Sequence, residues 1–352
     1  MKTEMIKIDQ QQINIEKIRK AAKWIREKEL VAFPTETVYG LGANGLDPEA
    51  SAKIYAAKGR PSDNPLILHI SKQEQIEPLV MEIPQAAKKA MDAFWPGPMT
   101  IILKKSEIVP MQTTGGLQTV AIRMPNHPIA LALITESGCP IAAPSANTSG
   151  RPSPTRAEHV YEDMSGKIPC ILDGGMVGIG IESTIIDFSN EKPMILRPGW
   201  ITQDMLEEVV GMPVAIDPAV LDSRKTAGIA PKAPGMKYKH YAPKADLILV
   251  SGSEKDVIEY INQKIEERHL QGQTVGVIGT DETVSFYRGD VVMSIGKRNS
   301  DQTIAHHLYD VLRKFDHEEV NIIYSQVFES GKNGFAIMNR LTKAAGYERV
   351  EV

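Results

Sequence analysis

Hydrophobic and polar positions follow helical and strand periods in alternation. Ile15, Ile18, Ala22 and Ile25 share one helical face, and residues 30–33 then form a short apolar run closed by Pro34, the pattern of a buried strand. Asp47 before Pro48 is an N-cap followed by proline at the first helical position, so the spacing predicts a helix to about Lys58, where Gly59 supplies the stop. Further strands are predicted over 66–70, 99–103, 119–124, 141–143 and 184–188, with a helix over Gln85–Phe94 stopped by Pro96. Near the other end, Asp246–Ser251 (strand), 253–267 (helix) and 274–279 (strand) form a βαβ unit, which implies a right-handed crossover and a parallel sheet. Helices over 303–315 and 334–345 flank a strand at 321–325. The stretch Gly276-Val277-Ile278-Gly279-Thr280 lacks the three-glycine dinucleotide fingerprint, so a nucleotide site there has little support.

Between these regions the periodicity fades. Residues 209–244 carry Pro213, Pro218, Pro231, Pro234 and Pro243, the composition of a linker or ordered surface loop. The predicted fold class is therefore α/β in two parts: a larger domain over 1–208, a Pro-rich linker over 209–244, and a smaller Rossmann-like α/β domain over 245–352.

Composition adds limits. The 352 residues are 42% hydrophobic and 24% charged, which describes a soluble globular chain and excludes disorder and collagen-like repeats. A net charge of −4 argues against gripping nucleic acid by bulk electrostatics. That charge is uneven: 22 basic and 25 acidic residues over 1–208, 6 and 2 over 209–244, 12 and 17 over 245–352. The linker is the basic segment. No apolar run approaches the ~20 residues of a membrane span and no signal peptide is evident, so a cytoplasmic location is expected. Cys139 and Cys170 are too few for a disulfide framework or a thiolate metal cage, and no protein metal site is expected.

No Walker A, HExxH or GxSxG motif occurs, so the candidate chemistry lies in polar junctions at strand ends. Thr35, Glu36 and Thr37 follow an apolar strand, where ligands of open α/β sheets bind. Lys58 and Arg60 flank Gly59 and suit a triphosphate, as a point charge and a planar fork; equally, they suit a helix C-terminus. His69 alternates into a strand, the usual position of a core histidine. Arg123 is the single charge in its strand and needs an anion once buried, from the protein or from a substrate. Residues 142–153 are small and hydroxyl-rich, suited to phosphate oxygens and equally to a plain loop.

Taken in order, PTETVYGLG, KGRP with NPLILHI, TVAIRMP, APSANTSG, ESTI and LRPG closely resemble the threonylcarbamoyl-AMP synthase family, whose domain is called YrdC-like. The match covers about residues 15–208; the rest, with APGMKYKHYAP at 233–243, resembles the long form carrying a C-terminal domain. The resemblance implies a YrdC-like twisted open sheet around a basic cavity, and a nucleotidyltransferase. It would join L-threonine, bicarbonate and ATP, with Mg2+ accompanying the nucleotide, into threonylcarbamoyl-AMP and pyrophosphate for tRNA modification. Carried over by position, Lys58, Arg60, Ser145 and Asn147 hold the phosphates and the developing charge. Asn64, Ala143, Ser153, Arg197 and Tyr241 complete the ATP site with Arg60. Thr37, His69, Thr119, Arg123, Ser145 and Ser183 shape the threonine end, with Thr35 as a neighbour of Thr37. The product is expected to pass to a tRNA threonylcarbamoyl transferase complex, so direct tRNA binding is not required. The linker, with Lys237, Tyr238, Lys239, His240 and Tyr241, is a candidate lid. An RNA-binding module without turnover is the alternative.

Overall fold

Local signals set the first helices. In α1 (Ile15–Arg26) the Asn14 side chain accepts from the N–H groups of Glu16 and Lys17, and Ile18, Ala21, Ala22 and Ile25 form the buried stripe. In α2 (Pro48–Lys58) the Asp47 side chain accepts from Glu49 and Ala50, and Gly59, at φ +60°, closes the helix in the left-handed region. Helix α3 (Gln85–Phe94) buries Ala87, Ala90 and Met91.

The computed structural model describes residues 1–221, 233, 241–328 and 331–352. The chain divides into two units, one made of Met1–Ser149 with Ser153–Tyr238, the other of Gly150–Pro152 with Lys239–Val352.

Among the described residues the first unit holds one sheet of eleven strands: β1 (Glu4–Lys7), β2 (Val31–Pro34), β3 (Tyr39–Asn44), β4 (Ile67–His69), β5 (Met99–Lys104), β6 (Thr119–Arg123), β7 (Ile141–Ala142), β8 (Cys170–Asp173), β9 (Thr184–Asp187), β10 (Met194–Arg197) and β11 (Ala215–Ile216), in the order 1-8-2-3-7-4-6-5-9-10-11. Pairing is mixed: β4 runs parallel to β6, while β5 and β7 are antiparallel to their neighbours β6 and β4. Short α4 (Met111–Thr114) precedes β6, α5 (Pro128–Ser137) and α6 (Ala157–Met164) flank β7, and α7 (Gln203–Val210) and α8 (Pro218–Leu221) follow β10.

The stretch after β2 is a tight hairpin. Thr35–Val38 form the turn and Tyr39–Asn44 return antiparallel to β2. The glycines there make room in the sheet: a Cβ on Gly42 would lie 2.7 Å from Ile141 and 2.8 Å from Phe33.

Alternation along the strands sorts side chains onto two faces. One face carries the main core, with Leu41, Leu68, Ile101, Val120, Ile122 and Ala142 packed on residues of α2, α3, α6 and α7. On the other face, Val31, Phe33, Ile141 and Leu172 are covered by α1 and α5. Further along that second face lies a small cluster of Ile67, Ile102, Ala121, Ile185 and Leu196, against which Ala233 is fully buried.

The second unit is a five-stranded, all-parallel sheet: β12 (Asp246–Ser251), β13 (Val275–Gly279), β14 (Val291–Ser294), β15 (Ile322–Gln326) and β16 (Arg349–Glu351), in the order 14-13-15-12-16. Helices α9 (Glu254–Leu270), α10 (Asp301–Phe315) and α11 (Gly334–Ala344) make the crossovers. Of the glycine stretch 276–280, Gly276 to Gly279 lie within β13, and Thr280 follows it. Its glycines are packing positions, since a Cβ on Gly276 would meet Phe315 at 2.5 Å. Residues 150–152 belong to this unit. Ala242 N–H donates to Gly150 O (3.1 Å), Arg151 pairs with Asp316 (2.9 Å), and buried Arg313 donates from Nε and Nη2 to Pro152 O (3.0 and 2.6 Å).

Candidate active site

Three groups of the residues singled out in the sequence meet on or beside the second face of the large sheet. In the first, α2 ends by directing Lys58 inward, where it is 2% exposed. Its Nζ donates to Ser145 O (2.5 Å), to Asn147 O and, at 3.4 Å, to Asn147 Oδ1. The Ser145 hydroxyl donates to Asn147 Oδ1 at 2.5 Å, and Asn147 Nδ2 donates to Thr148 O. A buried ammonium thus pins the loop after β7. Arg60 is half-buried and donates to Asn64 O (3.3 Å) and Pro65 O (3.1 Å). Asn64 is buried, and its Oδ1 has no hydrogen-bond partner among the described residues.

The second group surrounds Arg123. The anion that this buried cation requires is Glu36 of the β2–β3 turn, with Nη2 2.7 Å from Oε1. The contact is an ion pair without hydrogen-bond alignment, and both Glu36 oxygens stay buried without a hydrogen-bond partner. Arg123 Nη1 donates to Thr37 Oγ1 (3.0 Å) and Nε to Gly97 O (3.3 Å). Thr35 gives its one hydroxyl proton to Val38 O (2.8 Å), so the 2.9 Å contact between the threonine hydroxyls is donated by Thr37. Threonines 35 and 37 are therefore one orienting chain ending on Arg123. Beside it, His69 pairs across the strands with Arg123, its Nδ1 3.1 Å from Ile67 O and its ring edge-on to Phe33. Burial first, then the nearby Arg123 charge, lowers its pKa to about 3. Nothing in the sequence pattern singled out His127, the residue before α5. It is buried with Nδ1 unpaired, and burial lowers it to about 4 against an opposing pull from Glu36.

In the third group, Ser183 precedes β9 and shares a 2.7 Å hydroxyl contact with Thr100, which is in register with Arg123. Arg197 Nε donates to Ser183 O (3.0 Å) and Nη2 to Ser183 Oγ (3.1 Å). Ser153 Oγ donates to Glu182 at 2.6 Å. Ala143 N–H donates to Ile67 O, tying the start of the Ser145 loop to β4. Thr119 is at the opposite end of β6 from Arg123, about 13 Å away at ~3.3 Å per residue.

Tyr241 belongs to the second unit, where its ring lies 5.1 Å from that of Tyr309. Lys237, Tyr238, Lys239 and His240 lie outside the described residues. Burial pushes the thiols of Cys139 and Cys170 up to about 11 and about 12, so neither is a thiolate nucleophile near neutrality. No described helix is long and apolar enough to cross a membrane.

This open mixed sheet, with Lys58, Ser145, Asn147 and the buried Arg123, falls within the stretch matched by the family model of the Sua5, YciO and YrdC proteins. The family description "Telomere recombination" for that group matches residues 23–199, and "Threonylcarbamoyl-AMP synthase, C-terminal domain" matches 201–346. The chain belongs to the threonylcarbamoyl-AMP synthase family. It is 50% identical over 339 residues to the threonylcarbamoyl-AMP synthase of Bacillus subtilis, covering 96% of this chain and 95% of the relative. The crystal structure of Pyrococcus abyssi Sua5 complexed with L-threonine is similar at a TM-score of 0.93 and 49% identity, covering 99% of this chain and 100% of that one. Escherichia coli YciO, at 23% identity and a TM-score of 0.52 over 56% of this chain and 96% of its own, shares the fold.

Proposed function

We propose that this chain is a nucleotidyltransferase that makes threonylcarbamoyl-AMP from L-threonine, bicarbonate and ATP, for threonylcarbamoylation of tRNA by a separate transferase complex. The observation that carries the reading is the convergence of the sequence motifs, distant in the chain, on one sheet region: Lys58 bonded to Ser145 and Asn147, and Arg123 bonded to Thr37 beside His69. Similarity over 96% of this chain to the threonylcarbamoyl-AMP synthase of Bacillus subtilis supports it.

In the reaction the threonine amine and CO2 or bicarbonate form a carbamate. A carbamate oxygen then attacks the α-phosphorus, a new O–P bond forms, and the bond to the β-phosphate oxygen breaks to release pyrophosphate. Positioning and charge neutralisation account for such a step without a side-chain nucleophile. Lys58 and Arg60 face the charge that moves to pyrophosphate, with Ser145 and Asn147 presenting hydroxyl and amide groups. Asn64, Ala143, Ser153 and Arg197 line the nucleotide. Thr37, His69 and Ser183 shape the threonine end, and Arg123 shares its charge between Glu36 and the threonine carboxylate, while Thr119, at the far end of β6, lies too far off to join them. His69, neutral at physiological pH, adds no charge to the cavity. Among the described residues no group of three or more His, Cys, Asp or Glu side chains can hold a metal. Mg2+ would accompany the ATP phosphates, an ion that usually keeps several waters and takes phosphate oxygens with at most one or two carboxylates.

The segment 209–244 is proposed as a lid that keeps water from the carbamate. Its support is Ala233, fully buried on the sheet face that also carries Thr119 and Arg123 at alternate positions of β6. The deciding experiment is pyrophosphate release from ATP with threonine and bicarbonate omitted in turn. Release is expected only with both; release independent of threonine overturns the reading.

A further inference from the structure

The second unit contains a cavity of about 300 Å3 that none of the proposed chemistry uses. It opens at the carboxyl ends of β12 and β15. The connection from β12 leads toward β13 and that from β15 leads the opposite way to β16, so the chain diverges there. Such a switch point is where open parallel sheets bind ligands. The volume is at the lower end of the small-molecule range.

The lining is built rather than incidental. Gln326, 9% exposed, is held by one end of its amide: Thr283 accepts from Thr280 N–H and donates to Gln326 Oε1 (2.7 Å), and Tyr287 OH donates to the same oxygen (3.2 Å). The Tyr287 hydroxyl keeps its proton, since burial raises it to about 12. The fixed amide leaves Nε2 with no hydrogen-bond partner among the described residues, at the wall of the cavity. Among the described lining residues only Glu254 and Arg298 are charged, and they pair with each other. Val257 and Phe328 add apolar surface.

These features discriminate between ligands. The cavity sits at the start of α9, but Glu254 and Asp256 already occupy that first turn, and one guanidinium does not offset a phosphate dianion beside two carboxylates. A wall of zero net charge carrying one group of each sign suits a ligand with the same property. We infer that this cavity binds a free α-amino acid, its carboxylate on Arg298 and the Gln326 amide, its ammonium on Glu254, and an apolar side chain against Val257 and Phe328.

The test is isothermal titration of the full chain, without ATP, using L-valine, L-leucine, L-methionine and L-phenylalanine. Because pyrophosphate release is not the readout, the result stands apart from the proposed reaction. Saturable binding of at least one is expected, lost for its N-acetyl and methyl-ester derivatives and weakened about tenfold or more, ~1.4 kcal/mol, by Arg298→Ala or Gln326→Leu. The charged pair is half-exposed, and unchanged melting of Arg298→Ala would confirm an intact fold. Absence of saturable binding by all four, equal binding of the blocked derivatives, or undiminished binding to both variants overturns the inference. So does displacement by AMP or inorganic phosphate, which would make the site anionic.

Discussion

Lys58 has a structural role in addition to the one proposed for it, and a sequence cannot separate the two. A cation at a helix end is ordinarily solvated, yet Lys58 Nζ is enclosed by Ser145 and Asn147 oxygens. Lys58→Ala is accordingly expected to abolish pyrophosphate release and also to lower stability by about 1–3 kcal/mol, because buried carbonyls lose their donor; a denaturant melt and a release assay read the two effects separately. Arg123 was legible as a buried charge in want of an anion, whereas Glu36 was legible only as part of a polar turn, since their pairing joins residues 87 apart. Removing Arg123 strands the carboxylate. Arg123→Ala should cost about 3–5 kcal/mol and Arg123→Ala with Glu36→Gln clearly less, without rescue of threonine use. A denaturation comparison of the two variants checks this. His69 and His127 set the acid limit. Both folded pKa values, about 3 and about 4, are below the unfolded value near 6.5, so the unfolded chain binds more protons in that interval. Their stabilising contribution is complete above pH 6.5 and falls as pH drops, by about 1.4 kcal/mol per pH unit for each group. Melting temperatures from pH 7 to 4 should show the decline, and His127→Phe should flatten it.

At the level of elements, helices with clear caps were readable nearly to the residue: Asp47-Pro48 and Gly59 bound α2 as expected, and Gln85–Phe94 is α3. Strand β3 was not, because YGLGAN carries glycines that normally mark a loop. They are present because Phe33 and Ile141 fill the space a side chain would take. An edge strand as short as three-residue β16 leaves too short a pattern to detect, although its neighbour imposes the pairing, whereas two-residue β7 was legible as the apolar run 141–143. Glycine at site junctions serves two different physical needs, and this is testable. At Gly59 the φ of +60° is the difficulty and nothing lies within 4 Å, so Gly59→Ala should cost about 1 kcal/mol with activity largely kept. At Gly199 a Cβ would lie 2.4 Å from Thr184 N, directly after Ser183, so Gly199→Ala should displace the Ser183–Arg197 contact and reduce turnover sharply. Comparison of melting temperature with turnover for the two variants separates strain from collision.

For the whole molecule, the chain divides into two units, each made of segments that are not contiguous in sequence. The junction between units is crossed at 149/150, at 152/153 and at 238/239. The three residues in the middle of the hydroxyl-rich loop, between Asn147 and Ser153, are folded with the second unit through Arg313 and Asp316. Loop composition made this segment a candidate in the sequence, but no local pattern announces a partner 161 or 165 residues away. Arg313→Ala, which removes both donors to the buried Pro152 O, should lower the stability of the second unit by about 1–3 kcal/mol, as a denaturant melt would measure.

That same loop sets a schedule. Chains emerge from the ribosome N-terminus first at roughly 5–20 residues per second and fold domain by domain. The large sheet can form as soon as its strands are out. Residues 150–152, however, wait for Asp316, 165 positions later in the chain, a delay of about ten seconds or more at those rates. Within the second unit, therefore, residues 150–152 stay without these partners until residues 313 and 316 have been made, however early the strands around them emerge.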